Sequence, residues 1–225
     1  MSASLPVLTG PSFGPAAGGK PGALVVLLHG LGTDGHDLIP LAPVLATAVP
    51  RALFVAPSAP FPCEMPPLGR QWFSFADRAP AALMSGIAMA APILNSYLDA
   101  QLASLGLPAD ALALFGFSQG AMMALHAGLR RRVPPSAILA FSGAMLDEVP
   151  PPGPAGYPPV LLVHGEDDEI VPWSSFRQAR AALASAGVPL EALARPGLAH
   201  GIDQGGIEAA QTLLARSLGP VAGLV

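Results

Sequence analysis

The chain contains one cysteine, Cys63, and one lysine, Lys20, in 225 residues. A lone thiol excludes an internal disulfide, and so sparse a use of cysteine fits a reducing compartment better than a secreted scaffold. Charge is scarce too: 12% of residues are Asp, Glu, Lys or Arg, and the formal net charge is −4. With a pI near 5.6, no basic surface is available to attract nucleic acid or anionic lipid, and no nucleic-acid partner is expected. The one cationic run, Arg130-Arg131-Arg132, follows a helical stretch, where it complements the negative end of the helix dipole.

Long apolar runs are also missing, although 52% of residues are apolar and the mean hydropathy is +0.52. The most apolar segment, Ala81 to Leu94, is interrupted by Ser85, Gly86 and Pro92. At about fourteen residues it falls short of the roughly 18–20 needed to cross a bilayer, so no integral span is expected. The first residues, Met1-Ser-Ala-Ser-Leu-Pro6, show no positive group followed by an apolar core. No secretory signal is therefore read there, and a cytoplasmic protein is expected.

What the chain does have is alternation. Residues 1–22, rich in Gly, Pro and Ser, read as a loose lead-in with one short edge strand at Leu5 to Thr9. Residues 23–225 read as a single α/β domain. Apolar runs of strand length occur at Ala23–Leu28, Ala52–Ala56, Ala111–Phe115, Ala137–Phe141, Val160–Val163 and Leu190–Ala194. Helical stretches separate them: one capped by Asp37, one over Ala81–Leu105 broken or restarted at Pro92, one after Gly120, one near Trp173–Ala186, and a last from Gly206 to Leu218. This order predicts a mostly parallel central sheet with helices on both faces, and ligands at the carboxyl ends of its strands.

The densest signal lies where the run Ala111–Phe115 meets Gly116-Phe117-Ser118-Gln119-Gly120 and then an apolar helix marked by Met122, Leu125 and Leu129. Glycines two before and two after a serine allow a tight strand-to-helix turn that presents the hydroxyl at the strand end, the nucleophile elbow of a serine hydrolase.

A serine hydroxyl needs a base, and the base needs an orienting carboxylate. His126 lies on the elbow helix, roughly 12 Å from Ser118 along its axis, and is too far to serve. His29 and His164 sit in His-Gly turns where a ring braces its own loop, and His36 belongs to a glycine-rich loop. His200, between the last strand and the last helix, is the candidate base. Four carboxylates follow the strand at Val160, namely Glu166, Asp167, Asp168 and Glu169, and pattern alone does not choose among them. The order Ser, acid, His is that of α/β-hydrolases. Gln119, just after the serine, supplies one backbone donor for an oxyanion, and the loop His29-Gly30-Leu31-Gly32 supplies the other at Leu31.

Six segments in register give the chain a resemblance to the phospholipase/carboxylesterase family, which includes acyl-protein thioesterases. They are Leu28–Leu38, Ala56–Pro60, Gly69–Phe73, Gly116–Gly120, His164–Pro172 and Ala199–Gly201. The resemblance implies Ser118 as nucleophile, His200 as base and Asp168 as acid, with Leu31 and Gln119 as oxyanion donors. It implies an α/β-hydrolase fold and no cofactor or metal. The interval Ser142–Pro159, only 18 residues, leaves no room for a cap domain.

Pro57–Pro80 is the expected pocket wall, with Phe61, Met65, Trp72 and Phe73 as substrate contacts and Arg70 as a less favoured partner for a substrate carboxylate. The expected activity is hydrolysis of carboxylic esters or thioesters. The substrate is a small molecule, a lysolipid or an acylated protein, and monomer and homodimer are both open. The competing readings are acyl transfer to another acceptor and a non-catalytic binding protein on the same scaffold.

Overall fold

The computed structural model describes residues 5–65 and 68–219. Its strands are β1 (Ser12–Phe13), β2 (Ala23–Leu28), β3 (Ala52–Val55), β4 (Phe61–Pro62), β5 (Arg70–Gln71), β6 (Leu112–Phe117), β7 (Ala137–Phe141), β8 (Val160–Gly165) and β9 (Leu190–Arg195). Seven of them form one sheet in the order β1-β3-β2-β6-β7-β8-β9. All its pairs are parallel except β1–β3. Strands β2 and β7 are buried at every position, as continuous apolar runs covered on both faces must be. The edge strand β9, with Glu191 and Arg195, has no fully buried residue, and those charges discourage further pairing.

The helices are α1 (Gly35–Leu38), α2 (Ala42–Leu45), α3 (Pro80–Leu105), α4 (Gln119–Arg130), α5 (Trp173–Ser185) and α6 (Gln204–Leu218). Alternate residues of each strand feed two cores. Leu24, Val26 and Leu28 pack with α3, α4 and α5. Val25 and Leu27 pack with α1, α2 and α6. Phe115 and Phe141 stack at 4.6 Å in this second core, a contact worth about 0.5–1.5 kcal/mol beyond its buried area.

Several local expectations change. The edge strand lies at Ser12–Phe13, not Leu5–Thr9, because it is Ser12 and Phe13 that come into register with Val55 and Phe54. The lead-in is tied down over this stretch, since Thr9 and Pro11 carbonyls accept from Ser58 and Ala56. The first helix is capped by Asp34, not Asp37: the Asp34 carboxylate accepts from His36 N at 2.8 Å. Pro57–Pro80 holds the small antiparallel hairpin β4–β5.

Helix α3 runs unbroken through Pro92. Pro92 and Ala88, whose carbonyl the proline leaves without its helical donor, both lie on the exposed face, where water can take up that carbonyl. At 26 residues α3 has the length and composition of a membrane span, so the argument from length fails. It nevertheless contributes a buried stripe, including Ile87, Leu94, Leu98 and Leu102, to the first core.

Helix α4 is buried at every position from Gln119 to Leu129, more than the one-sided apolar face its sequence suggests, because it lies between the sheet and α3. Among the described residues the interval after β7 carries no cap domain.

Candidate active site

Strand β6 ends at Phe117 and α4 begins at Gln119, which leaves Ser118 to make the whole turn at φ 55° and ψ −118°. A non-glycine residue at positive φ is strained and persists only where its surroundings enforce it. Two glycines permit that packing. A Cβ on Gly120 would lie 1.9 Å from the Leu28 carbonyl oxygen, and one on Gly116 would lie 2.3 Å from that of Gly120. Both obstacles are backbone and cannot swing aside. The Ser118 amide donates to Phe141 O at 2.8 Å, which fastens the turn to the end of β7.

The loops after β8 and β9 bring Asp168 and His200 together. His200 Nδ1 lies 2.7 Å from Asp168 Oδ2. An ionised carboxylate only accepts, so Nδ1 holds the proton and the Nε2 lone pair is left free. Asp168 Oδ1 accepts from the amides of Ile170 and Val171 at 2.9 and 2.8 Å, which fixes the carboxylate in a side-chain environment with no solvent exposure. Glu166, Asp167 and Glu169 are exposed on the same loop. The Phe117 ring packs 4.9 Å from the His200 ring, so the base candidate borders the residue next to Ser118. Among the described residues no hydrogen bond joins the Ser118 hydroxyl to His200, and such bonds are often long before substrate binds.

The other histidines are accounted for. His29 is fully buried; its Nε2 accepts from Ala59 N at 2.9 Å, so Nδ1 donates to Gly30 O at 2.7 Å. Burial pushes its pKa down and keeps it neutral. His164 donates from Nε2 to Val171 O at 2.8 Å, bracing the Asp168 loop, and burial lowers its pKa as well. His126 pairs with Asp147 at 2.8 Å, away from the elbow, and Asp147 also takes Arg130 at 2.5 Å. His36 is exposed beside Asp34.

Gln119 occupies the first position of α4, where no helical acceptor exists for its N–H. The loop carrying Leu31 passes against the elbow: a Cβ on Gly30 would sit 3.4 Å from Ser118 Cβ. The side chain of Gln119 has a task that sequence reasoning missed. Its Oε1 accepts from Trp72 N at 2.8 Å and its Nε2 donates to Phe73 O at 2.7 Å, clamping the segment after β5 onto the elbow.

The four expected substrate contacts divide. Phe61 and Phe73 line a cavity of about 490 Å³ between the β4–β5 hairpin and α3, together with Gln71 and Met89, which the sequence did not single out. Trp72 does not line it. It is fully buried, and its indole N–H donates to His29 O at 3.0 Å. Met65 does not line it either; its carbonyl accepts the Cys63 thiol at 3.0 Å. Arg70 is occupied, donating to the carbonyls of Ala59 and Pro60 at 2.7 and 2.5 Å. A second, open cleft of about 490 Å³ adjoins His200, Ile170, Asp167 and Glu169. Among the described residues no cluster of His, Cys, Asp or Glu is arranged to hold a metal.

Known proteins are similar to this chain in sequence and in fold. The crystal structure of esterase PE8 is similar at 38% identity and a TM-score of 0.84, covering 94% of this chain and all of that one. Acyl-protein thioesterase 1 of Schizosaccharomyces pombe is 31% identical over 198 residues, 80% of this chain and 84% of that protein. Esterase YpfH of Escherichia coli is 29% identical over 182 residues, 80% of this chain and 76% of that protein. Residues 16–218 match the Phospholipase/Carboxylesterase family, and the chain belongs to that family.

Proposed function

We propose that the protein is a serine carboxylesterase that hydrolyses carboxylic esters, thioesters included, through an acyl-Ser118 intermediate. The observation that carries this reading is the strained Ser118 at the end of β6, beside a His200–Asp168 pair whose 2.7 Å bond leaves His200 Nε2 free to accept a proton. In the first step Ser118 Oγ attacks the acyl carbonyl carbon while His200 Nε2 takes its proton. Asp168 holds the resulting imidazolium through Nδ1–H. The carbonyl oxygen, now negative, accepts from the amides of Gln119 and Leu31. Collapse expels the alcohol or thiol, which leaves with the proton from His200. Water then repeats the sequence on the acyl-enzyme, releasing the acid and restoring Ser118.

The cavity beside Phe61 and Phe73 is the place for the acyl group, since the Gln119 clamp ties its wall to the elbow. The absence of a cap among the described residues gives a bulky carrier access as readily as a small alcohol. The test is a ladder of straight-chain acyl esters and matched thioesters from two to sixteen carbons, with Ser118→Ala as the blank and a fluorophosphonate as the covalent probe. Wild type is expected to label and Ser118→Ala to retain under a few per cent of the rate. Each methylene that enters the cavity raises kcat/KM by up to about fourfold. Absence of labelling in a folded wild type would favour a binding protein on this scaffold.

A further inference from the structure

The cavity between the β4–β5 hairpin and α3 is apolar in its body but not throughout. Phe61, Phe73 and Met89 supply the apolar surface. A Cβ on Gly86 would lie 2.9 Å from Phe73 Cβ, so α3 packs onto this wall only because residue 86 has no side chain. Into this surface comes one buried polar group. Gln71 is 3% exposed and lines the cavity, yet its amide nitrogen has no partner among the described residues. Its Oε1 accepts only a long bond, 3.4 Å, from Glu64 N. An amide N–H that lines the cavity without a protein acceptor among the described residues can donate to a ligand oxygen there.

Two carboxylates, Glu64 and Asp77, stand at the exposed edge, and none of the described lining residues is Lys, Arg or His. Glu64 is held by the Ser74 hydroxyl at 2.5 Å, and Asp77 accepts from Ala79 N at 2.8 Å. Arg70 is spent on two carbonyls, and Arg78, next to Asp77 in sequence, is exposed and does not line the cavity.

We propose that Gln71 makes the cavity selective for uncharged acyl chains bearing an acceptor oxygen, and that Glu64 and Asp77 close it to acyl chains ending in a carboxylate. This specificity rests on Ser118 being the acylated residue. The chain enters along Phe61 and Phe73 with its carbonyl carbon at Ser118, and a keto or ether oxygen part-way along it meets the Gln71 amide. A terminal carboxylate would be brought up to two like charges with no cation among the described lining residues.

The experiment compares the p-nitrophenyl esters of hexanoic acid, 5-oxohexanoic acid and adipic acid, the last as its monoester. The proteins are wild type, Gln71→Leu, Gln71→Met and the double variant Glu64→Gln/Asp77→Asn, with Ser118→Ala subtracted. Both Gln71 variants are expected to lower the oxohexanoyl-to-hexanoyl ratio of kcat/KM by roughly three- to tenfold. The double variant, at exposed positions that tolerate change, is expected to raise the adipyl-to-hexanoyl ratio by about tenfold at low salt and less at high salt. Equal losses on all three esters, or unchanged ratios, would overturn the specificity while leaving the esterase intact. Wild-type rates no higher than the Ser118→Ala blank on every ester would instead overturn the esterase reading, and the specificity with it.

Discussion

Replacing Gln119 with alanine separates two roles that one residue holds. The backbone N–H, the proposed oxyanion donor, survives the change. The side chain, which joins the elbow to Trp72 N at 2.8 Å and Phe73 O at 2.7 Å, does not. Trp72 and Phe73 are 0% and 1% exposed, so the two backbone groups lose their partners where bulk water does not reach. At about 1–2 kcal/mol for each group left unsatisfied, the variant should lose about 2–4 kcal/mol. For a chain of this length that is a drop of about 4–16 °C in Tm, because each kcal/mol moves the midpoint by about 2–4 °C. A water entering the space left by the amide would bring the loss to the lower end.

The kinetic consequence follows from where Phe73 sits. It lines the cavity proposed for the acyl group, so loosening its carbonyl should weaken transition-state binding of the acyl chain more than the chemistry at the carbonyl carbon. In kcat/KM, the loss for an octanoyl ester should exceed the loss for an acetyl ester. The assays are thermal unfolding at fixed pH and the two-ester comparison. A Tm within about 2 °C of wild type would refute the clamp. Equal losses on both esters would place the effect at the oxyanion and not at the cavity wall.

Ser118→Gly should abolish turnover yet unfold at or above the wild-type temperature, since glycine adopts φ 55° without the strain of about 1–2 kcal/mol that serine bears there; a marked drop in Tm would show the elbow to be unstrained. Stability should also fall on acidification below about pH 6.5. Burial lowers the folded pKa of both His29 and His164, so the unfolded chain binds protons there that the folded one refuses. The combined slope reaches up to about 2.7 kcal/mol per pH unit between the unfolded and folded pKa values. Urea midpoints that stay flat from pH 7.5 to 5 would contradict it, and His164→Gln should remove part of the slope.

The strand frame was legible because parallel strands covered on both faces leave unbroken apolar runs, and the elbow because its glycines answer to backbone collisions that any residue with a Cβ would suffer. The pocket wall was less so. Trp72 and Phe73 are adjacent aromatics, but the Trp72 indole finds the His29 carbonyl 43 positions away, and only Phe73 reaches the cavity. No local pattern encodes which of two neighbours turns inward. Pro92 misled for a related reason: proline breaks helices where the freed carbonyl has no alternative partner, and linear order does not tell that Ala88 faces solvent. The Gln119 clamp was hidden because glutamine after a serine reads first as a backbone donor, and its amide matters only once the hairpin folds over it.

The proposed nucleophile and base come from loops 82 residues apart, and two consecutive residues connect them. Phe141, the last residue of β7, holds the Ser118 amide with its carbonyl. Ser142, the next residue, is fully buried, donates its amide to Val163 O at 2.9 Å, and reaches the carbonyl of Gly201, beside His200, with its hydroxyl at 3.4 Å. Ser142 is also, with Ser118, one of the two non-glycine residues at positive φ among the described residues, at 49°. Such backbones persist where the surroundings over-determine them, and both flank the same junction of β6, β7 and the His200 loop. The register of β7 between β6 and β8, a property of the rigid sheet, therefore contributes to the placement of Ser118 and of the His200 loop, beside the His200–Asp168 bond made by the loops themselves.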